Sequence, residues 1–289
     1  MNTQKESGSL RFLYNTAAGR AFLRLLTCRA TSKICGSFLD SSLSRGMIKR
    51  FVKKNEIDLS EYEAAEYKCF NEFFTRKIKD ECRPFDPDRS AFVAPCDGYL
   101  SAYHINDGLV LSIKQSEYTV SSLLGGDSLA ERYSDGICLV FRLCVDHYHR
   151  YYYIDDGVKG NNVFIAGRLH TVRPIALERY PVFVQNCREY TAMDTDRFGT
   201  VTQIEVGAML VGKIKNNDGA GGFARGTEKG RFLYGGSTIV LLLERDRVSI
   251  DESLFSATEE GRETPVKLGQ KIGYSAIKAK NNSKEGIAI

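Results

Sequence analysis

The stretch that decides the fold is Arg231–Arg245, RFLYGGSTIVLLLER. Thr238–Leu243 is a dense run of β-branched and aliphatic residues, which is typical of a strand buried inside a sheet. Gly235 and Gly236 precede this run, and glycine in a strand usually marks a bulge or a close approach of the backbone. The stretch therefore predicts a buried strand, and the hydroxyl of Ser237 at its glycine-rich start is a candidate for chemistry.

A pattern of short strands separated by glycines continues through most of the chain after about residue 90. No ten-residue helical patterns alternate with these segments, which favours antiparallel over parallel β architecture. Strand and glycine turn follow each other in the way that closes the corners of a small sandwich or barrel. The predicted strands are Leu109–Ile113, Gly136–Leu143, Gly157–Gly167, Val201–Ile214, Leu233–Leu243 and Val266–Gly273.

Residues 9–70 have a helical pattern instead. Apolar residues recur there at three- and four-residue steps, as one helical face requires, at Leu10, Tyr14, Ala17, Ala21 and Leu25. We therefore expect an α+β fold, with N-terminal helices followed by a mainly antiparallel β body of barrel-sandwich-like, glycine-punctuated strands. We assign 1–70 to a basic helical region, 71–277 to a β-rich catalytic domain and the polar tail 278–289 to disorder.

Charge is spread unevenly along the chain. Residues 1–54 contain eleven Lys or Arg but only two acidic residues, Glu6 and Asp40, whereas the formal net charge of all 289 residues is +4. A basic leader on a mildly acidic body suggests an anionic partner, either a membrane surface or nucleic acid. Arg20 and Arg24 border the apolar helical face, which suits a helix packed on the body or a segment lying at a membrane interface.

Composition and cysteine spacing restrict the class of protein. A hydrophobic content of 43% and a charged content of 26% are globular values. The cysteines form no CxxC pair and no metal-ligand spacing, so we expect reduced packing residues of a cytosolic protein, at positions 28, 35, 69, 82, 96, 138, 144 and 187. MNTQKES is polar, so we expect no signal peptide, and no apolar run approaches the roughly 20 residues of a membrane-spanning helix.

Three residue types that cooperate in catalysis occur in the order Asp, His, Ser. Asp97 lies in APCDG, where Asp-Gly more often marks a simple turn. His147 and His149 lie in VDHYHRYYYIDDG and would share one face of a strand, as catalytic groups or as part of a packed surface. With Ser237 they satisfy triad logic, in which a carboxylate orients a base that activates a hydroxyl. The G-x-S-x-G elbow of ordinary serine hydrolases is missing, so the serine is set to react with its own chain.

Six segments in fixed order and spacing carry a resemblance that no one of them would carry alone. They are FNEFFTRKIKDECRPFDPD, APCDG, YHRYYYIDDG, VRPIAL, IEVGAMLVGKI and KGRFLYGGSTIVLL. Over roughly residues 60–273, and more loosely in the basic N-terminal helices, the chain resembles the phosphatidylserine decarboxylase family. Enzymes of that family cleave themselves before a serine, which becomes an N-terminal pyruvoyl group.

The resemblance implies a specific chemistry for this chain. Cleavage would fall between Gly236 and Ser237 and give a β chain of 1–236 and an α chain of 237–289. His149 would be the base for the Ser237 hydroxyl, with Asp97 orienting it. A Schiff base between the pyruvoyl ketone and the amine of phosphatidylserine would then allow carbon dioxide to leave, yielding phosphatidylethanolamine. Neither a metal nor pyridoxal phosphate would be needed.

The chain departs from the usual family pattern at two positions. Gly235 stands where many members have leucine, which preserves the Gly-Ser bond. Tyr152 stands where many members have a second histidine, and a phenol with a reference pKa near 10 is a poor base at pH 7. Either His149 serves both self-cleavage and decarboxylation, or His147 supplies the missing group. We favour His149 and treat His147 and Tyr152 as auxiliary positions.

The implied substrate gives the basic leader a partner. We expect residues 9–54 to dock on an anionic membrane that holds phosphatidylserine, which places the protein peripherally on the cytoplasmic face of the cell membrane, with no nucleic-acid partner. The α and β chains would stay together as a heterodimer, and a higher oligomer is left open. Two alternatives remain: a serine hydrolase that uses Asp97, His149 and Ser237, and a non-enzymatic barrel-sandwich binding module.

Overall fold

The computed structural model describes residues 8–106, 109–113, 116–177, 180–208, 213–235 and 237–276. Helices dominate the first 75 residues. The α-helices of the described residues are α1 Gly8–Asn15, α2 Ala17–Leu26, α3 Arg29–Leu39, α4 Met47–Asn55, α5 Phe70–Phe74, α6 Val120–Leu123, α7 Pro174–Leu177, α8 Val182–Gln185 and α9 Glu252–Glu259. Short 3-10 helices occupy Ser42–Gly46, Leu59–Glu61, Asp80–Cys82 and Ser128–Tyr133.

Strands are the main regular structure from residue 91 onward. The first eight are β1 Ala91–Val93, β2 Gly98–His104, β3 Leu109–Ile113, β4 Ser116–Thr119, β5 Ile137–Leu143, β6 Arg150–Tyr152, β7 Gly157–Lys159 and β8 Val163–Ile165. The remaining strands are β9 Arg188–Thr195, β10 Gly199–Val206, β11 Ile214–Asn216, β12 Gly221–Phe223, β13 Glu228–Phe232, β14 Ser237–Leu243, β15 Val248–Ile250, β16 Thr264–Val266 and β17 Lys271–Ser275.

The largest sheet has nine strands among the described residues, and its paired strands are antiparallel. Its order is β12-β7-β9-β10-β14-β5-β2-β16, with β8 also paired to β9. Smaller sheets are β1-β17-β15, β11-β13-β6 and β3-β4. The large sheet runs from one edge strand to another and, over the strands described, does not close into a barrel. The α+β prediction is confirmed, whereas barrel closure is not found.

Strand β14 lies in the middle of the large sheet and is buried on both faces. It pairs with β10 on one side and with β5 along its whole length on the other. One set of its side chains lies in the core shared with β1 and β15, and comprises Ile239, Leu241 and Leu243. The alternate set lies in the core shared with α1 and α2, and comprises Val240 and Leu242. Burial on both faces explains why the strand is a continuous apolar run rather than an alternating one.

The predicted strands are found with shorter or divided bounds. Gly157–Gly167 is interrupted and gives β7 and β8, because residues 160–162 leave the sheet between them. Leu233–Leu243 gives a strand only from Ser237 onward. Val201–Ile214 corresponds to β10 and the first residue of β11, and residues 209–212 lie outside the described part.

The single helical face predicted for the N-terminal region is wrong beyond residue 15. The helical segment is interrupted at Thr16, which lies between α1 and α2. The Thr16 side-chain oxygen caps α2 by accepting a hydrogen bond from the backbone N–H of Gly19 at 2.9 Å. The break changes the orientation of the second helix, so Leu23 is buried at 2% exposure while Leu25 is 59% exposed. Tyr14 is fully buried.

The predicted division of the chain stays a prediction. Residue 70 is the first residue of α5, and buried side chains of α1 and α2 share a core cluster with the body. The tail 278–289 lies outside the described residues. All eight cysteines lie within the described part and are free thiols, five of them buried. Over the described residues, no helix is long and apolar enough to cross a bilayer.

Candidate active site

Ser237 is the first residue of the central strand. Its backbone is held in register with Leu143 of β5, and only 1% of the residue is exposed. Its hydroxyl oxygen has no hydrogen-bond partner among the described groups. A buried hydroxyl without a partner loses its hydration without compensation. In the described structure, the Ser237 hydroxyl is therefore free of hydrogen bonds that would compete with a reaction.

The backbone in front of Ser237 is unusual. Gly235 has a φ of 137°, a conformation that side chains of L-amino acids rarely adopt. Glycine is therefore the residue that suits this position. Gly236, the predicted scissile residue, lies outside the described residues.

His149 lies directly before β6 and is fully buried. Its Nδ1 is 2.9 Å from the carbonyl oxygen of His147, and its Nε2 has no hydrogen-bond partner in the described structure. The ring packs against Phe74, with 4.2 Å between ring centroids. Because a carbonyl oxygen only accepts, Nδ1 carries the proton and Nε2 has its lone pair free.

The surroundings keep His149 uncharged. Burial, assisted by the positive charges of His147 and Arg76, lowers the pKa of His149 to about 3. The hydrogen bond to the backbone carbonyl of His147 acts in the opposite direction but is the weaker influence. At neutral pH the imidazole is therefore a permanently available, although weak, proton acceptor.

His147 does not share a strand face with His149, so this sequence prediction is wrong. Residues 145–147 form a turn that is closed by a 3.0 Å hydrogen bond from the His147 N–H to the Cys144 carbonyl, and β6 begins only at Arg150. His147 Nδ1 accepts a hydrogen bond from the Cys144 N–H at 3.1 Å. Burial lowers the pKa of His147, while the charges of Asp146 and Asp97 oppose that shift.

Asp97 lies in the turn between β1 and β2 and is 6% exposed. Its two carboxylate oxygens accept hydrogen bonds from Nε and Nη2 of Arg83 at 2.9 and 2.8 Å. One of them also accepts the backbone N–H of Leu268 at 2.8 Å. Over the described residues, no hydrogen bond joins Asp97 to His149, so the predicted orienting contact stays a prediction.

Tyr152 lies in β6, and its hydroxyl is 3.0 Å from the hydroxyl of Tyr148. Burial raises the pKa of Tyr152, so the phenol stays protonated at neutral pH. The side chain belongs to a separate apolar cluster with Tyr62, Tyr148 and Leu268. This position therefore offers no base that could replace a histidine.

Sequence analysis missed several residues that surround the site. FNEFFTR was noted only as part of a segment that carries the family resemblance, but Phe74 lies on the His149 ring and also contacts Tyr234 at 5.1 Å between ring centroids. Arg83 was not singled out, although it holds both oxygens of Asp97. The clustering of aromatic residues close to an arginine was the available signal.

A cavity of about 520 Å³ lies between α3 and the β body, close to the segment that leads to Ser237. It is lined by Ser32, Lys33, Gly36, Ser37, Asp40, Asn71, Phe164, Leu169, Cys187, Glu189, Lys213, Ile214 and Leu233. Asn71 and Leu233 connect it to the site, because Asn71 Oδ1 accepts the backbone N–H of Tyr234 at 3.3 Å. Within the part of the chain described, no cluster of three or more potential metal ligands is found.

Comparison with known proteins gives a consistent result. The family model for phosphatidylserine decarboxylase matches residues 70–274. A protein of Clostridium acetobutylicum named phosphatidylserine decarboxylase proenzyme 2 is 47% identical over 271 residues, which cover 93% of each chain. Proteins named phosphatidylserine decarboxylase proenzyme are 42% identical in Ruminiclostridium cellulolyticum, over 91% of this chain and 90% of that one, and 39% identical in Clostridium botulinum, over 91% and 92%.

Proposed function

Because the chain belongs to the phosphatidylserine decarboxylase family, a family of decarboxylases, we propose that it converts phosphatidylserine to phosphatidylethanolamine and carbon dioxide. The relatives are named proenzymes, which supports cleavage into two chains. The observation that carries the proposal for this chain is that Ser237 Oγ and His149 Nε2 are both buried without a partner.

In the proposed self-cleavage these two groups act together, although they are not hydrogen-bonded to each other in the described structure. His149 Nε2 takes the proton of the Ser237 hydroxyl while Oγ bonds to the carbonyl carbon of the preceding residue, and the C–N bond breaks to leave an ester and a free amine. Loss of the Ser237 Cα proton with cleavage of the Cβ–O bond then releases 1–236 with a terminal carboxylate. Water hydrolyses the remaining dehydroalanine to a ketone and ammonia, so that 237–289 begins with a pyruvoyl group.

The position of Ser237 suits the group that would be made from it. The residue is enclosed, and its backbone is fixed by the pairing of β14 with β5 and β10. The pyruvoyl ketone supplies an electrophile for the substrate amine and accepts the electron pair left when carbon dioxide departs. The protein contributes a water-poor enclosure around position 237 and, at His149, a neutral imidazole that can hold or return a proton.

Asp97 remains in the proposed set of site residues, with Ser237 and His149. Its carboxylate is committed to Arg83 and Leu268, so its influence on the histidines is through its charge, which raises the pKa of His147. His147 is an auxiliary residue in the proposal, since its carbonyl accepts the Nδ1 proton of His149. Tyr152 has no proton-transfer role in it.

The N-terminal helices are proposed to dock on an anionic membrane. Arg20, Arg24, Lys49 and Arg50 are exposed on this part of the chain. Large apolar side chains are also exposed there: Phe12 at 51%, Phe22 at 55%, Leu25 at 59%, Ile34 at 72%, Phe38 at 46%, Leu43 at 80% and Met47 at 43%. Exposed apolar residues among basic ones fit a lipid interface, where the former enter the acyl boundary and the latter meet head groups. A nucleic acid would bind the basic side chains but would give the exposed apolar side chains no partner.

This docking places the protein, in our proposal, peripherally on the cytoplasmic face of the cell membrane. The cavity beside α3 lies between the docking helices and the site, and it offers a route for a lipid headgroup. A serine hydrolase is less well supported, because Ser237 is 1% exposed and starts a central strand rather than an open elbow.

Intact mass under denaturing conditions tests the proposal. The wild-type protein should give two chains, 1–236 and 237–289, of which the smaller lacks a free amino terminus, and it should release carbon dioxide from phosphatidylserine vesicles. Ser237→Ala should give one inactive chain of 289 residues, while Ser253→Ala, at an exposed serine of the same segment, should be cleaved normally. An uncleaved wild-type chain that still decarboxylates would exclude the mechanism.

A further inference from the structure

Arg76 is a buried cation without a counter-ion in the described structure. It is 2% exposed, and its guanidinium carbon lies 4.1 Å from the ring centroid of Tyr62 and 4.8 Å from that of Phe73. Nη1 donates a 3.3 Å hydrogen bond to the Phe73 carbonyl, whereas Nε and Nη2 are buried with no acceptor. An arginine stays protonated, so an uncompensated one is costly inside a protein.

Other buried cations in the described part of the chain are compensated. Arg83 pairs with Asp97 and Glu61, and Lys229 forms a 2.7 Å ion pair with Glu205. Arg188 lacks an acidic partner but donates to four backbone carbonyls. Arg76 therefore differs from these residues because its guanidinium, among the described groups, lacks both an acidic partner and a full set of acceptors. An external anion would supply the missing negative charge and acceptors.

The unused atoms of Arg76 form a defined recognition edge. Nε and Nη2 point in the same direction and bind two oxygens of one oxyanion side by side. Arg83 uses this same pair of nitrogens for the two oxygens of Asp97, and Arg142 uses it for Glu263. The vacant edge of Arg76 thus matches a carboxylate or a phosphate in both number and spacing of donors.

Arg76 is also close to the proposed chemistry. Its charge is one of the causes that lower the pKa of His149, and Phe74, two residues before it, lies against the His149 ring. Phe73 beneath the guanidinium packs on Phe70, which contacts Tyr234 at 5.0 Å between ring centroids. The proposed cleavage before Ser237 would place Tyr234 two residues from a chain end.

Resting on the proposed function, we infer that Arg76 binds the phosphodiester of the lipid substrate through its Nε and Nη2 atoms. The substrate carries two oxyanions, the carboxylate that departs and the phosphodiester that remains. A cation on the departing carboxylate would stabilise the substrate more than the transition state, and so slow the reaction. A cation on the phosphodiester keeps the same partner from substrate to product and positions the headgroup at no such cost.

The test compares cleaved wild-type enzyme with Arg76→Met and Arg76→Lys, with Arg262→Met as a control at an exposed arginine. Each variant is first checked by mass for cleavage before Ser237, and KM and kcat are then measured on phosphatidylserine in mixed micelles. Two soluble inhibitors without a primary amine separate the two oxyanions. Glycerophosphocholine has the phosphodiester and no carboxylate, whereas N-acetyl-L-serine has the carboxylate and no phosphate.

We expect Arg76→Met to raise KM by about tenfold or more, as loss of a charge-assisted hydrogen-bond pair implies, with a much smaller change in kcat. Inhibition by glycerophosphocholine should weaken by a similar factor and inhibition by N-acetyl-L-serine should not. Arg76→Lys should fall between, because lysine keeps the charge but lacks the two-donor edge. If Arg76→Met fails to fold, the KM and inhibition values of Arg76→Lys test the inference instead.

An unchanged KM and unchanged inhibition by glycerophosphocholine in both variants would overturn the inference. So would selective loss of N-acetyl-L-serine inhibition, which would assign Arg76 to the carboxylate. Failure of both variants to cleave, with a cleaved wild type, would instead place Arg76 in self-cleavage and also overturn it. A wild type that neither cleaves nor decarboxylates would refute the proposed function itself, which is a distinguishable result.

Discussion

His149 donates its Nδ1 proton to the backbone carbonyl oxygen of His147, across 2.9 Å, and this contact determines which ring nitrogen is basic. A backbone carbonyl can perform this role whatever side chain its residue carries. The two histidines are therefore linked, but only one of them needs its imidazole. The departure from the family pattern at Tyr152 becomes less important, because the tautomer of His149 is set by the main chain.

Replacing the two histidines separately should give opposite results. His149→Ala removes the proposed base and should leave the chain uncleaved, as shown by a single mass under denaturing conditions. His147→Ala keeps the carbonyl that orients His149 and should still yield 1–236 and 237–289. His104→Ala, at a ring stacked on Phe255, is the control and should be cleaved like the wild type. A cleaved His149→Ala with an intact His147→Ala would reverse the assignment.

Self-cleavage should depend little on pH between about 5 and 8. The pKa of His149 is about 3, so the imidazole is neutral throughout this range and no base is lost as the pH falls. A histidine with the ordinary pKa of 6.5 would be about 30-fold less available at pH 5. The time course of cleavage of freshly made precursor, followed on denaturing gels, measures this. A rate that falls with a midpoint near 6.5, in protein still folded by circular dichroism, would contradict it.

Stability of the uncleaved protein should decrease as the pH falls below about 6.5. Burial lowers the pKa of His170 to about 4 and that of His149 to about 3. Between these values and the ordinary histidine pKa, the two side chains are protonated in the unfolded chain but not in the folded one. Stability is complete above the unfolded pKa and is lost toward the folded one, at up to about 1.4 kcal/mol per pH unit for each histidine.

Urea unfolding of Ser237→Ala at pH 7, 6 and 5 measures this loss, because the precursor stays a single chain. Adding His170→Gln should remove the contribution of His170 and make the decline shallower. A free energy of unfolding that is constant from pH 7 to 5 would show that neither histidine is buried in its neutral form.

Asp97→Asn and Arg83→Met should have parallel effects. Each removes one member of a buried ion pair, and such losses cost about 3 kcal/mol or more of unfolding free energy. If Asp97 acts through this pair, both variants should slow cleavage similarly. Arg245→Met breaks an exposed pair with Asp135 and, as a control, should change stability by less than about 1 kcal/mol. A fast-cleaving Arg83→Met beside an uncleaved Asp97→Asn would show that Asp97 acts on the histidines directly.

Membrane binding should require both the charge and the apolar side chains of the N-terminal helices. Replacement of Lys49, Arg50, Lys53 and Lys54 by glutamine should weaken co-sedimentation with anionic vesicles by up to about 1 kcal/mol per residue. The double variant Phe22→Ser and Leu25→Ser should weaken it without changing its salt dependence. Val158→Ser, at a 60% exposed position on β7, is the control. Wild-type binding that ignores anionic lipid content and salt would refute the docking proposal.

The central strand was predictable because burial on both faces leaves a mark in the sequence. Ile239–Leu243 is apolar without interruption, and the structure buries every one of these side chains. Gly235 was also a visible signal in the sequence, because its φ of 137° excludes most other residues. Local chemistry decided both features, so sequence alone was sufficient.

Contacts between distant segments were not predictable in this way. Leu23 and Leu25 are equally apolar, and their different burial depends on the break at Thr16 and on the sheet against which α2 packs. The choice of Arg83 as the partner of Asp97 depends on how the segment after α5 returns to β2. The orientation of His149 depends on a backbone carbonyl, a group that every residue has and that no sequence pattern distinguishes.

The central position of β14 has a consequence for the lifetime of the two-chain protein that the proposed cleavage would produce. The 237–289 segment contains β14, β16 and β17. These strands pair with β5, β10, β2 and β1, all of which belong to 1–236. Before cleavage these pairings form within one molecule, but afterwards they can be regained only by an encounter of two. Refolding of the mature protein would depend on concentration, whereas that of the precursor would not. The proposed cleavage would thus give a fold that is assembled once, and its persistence would be set by the rate of unfolding.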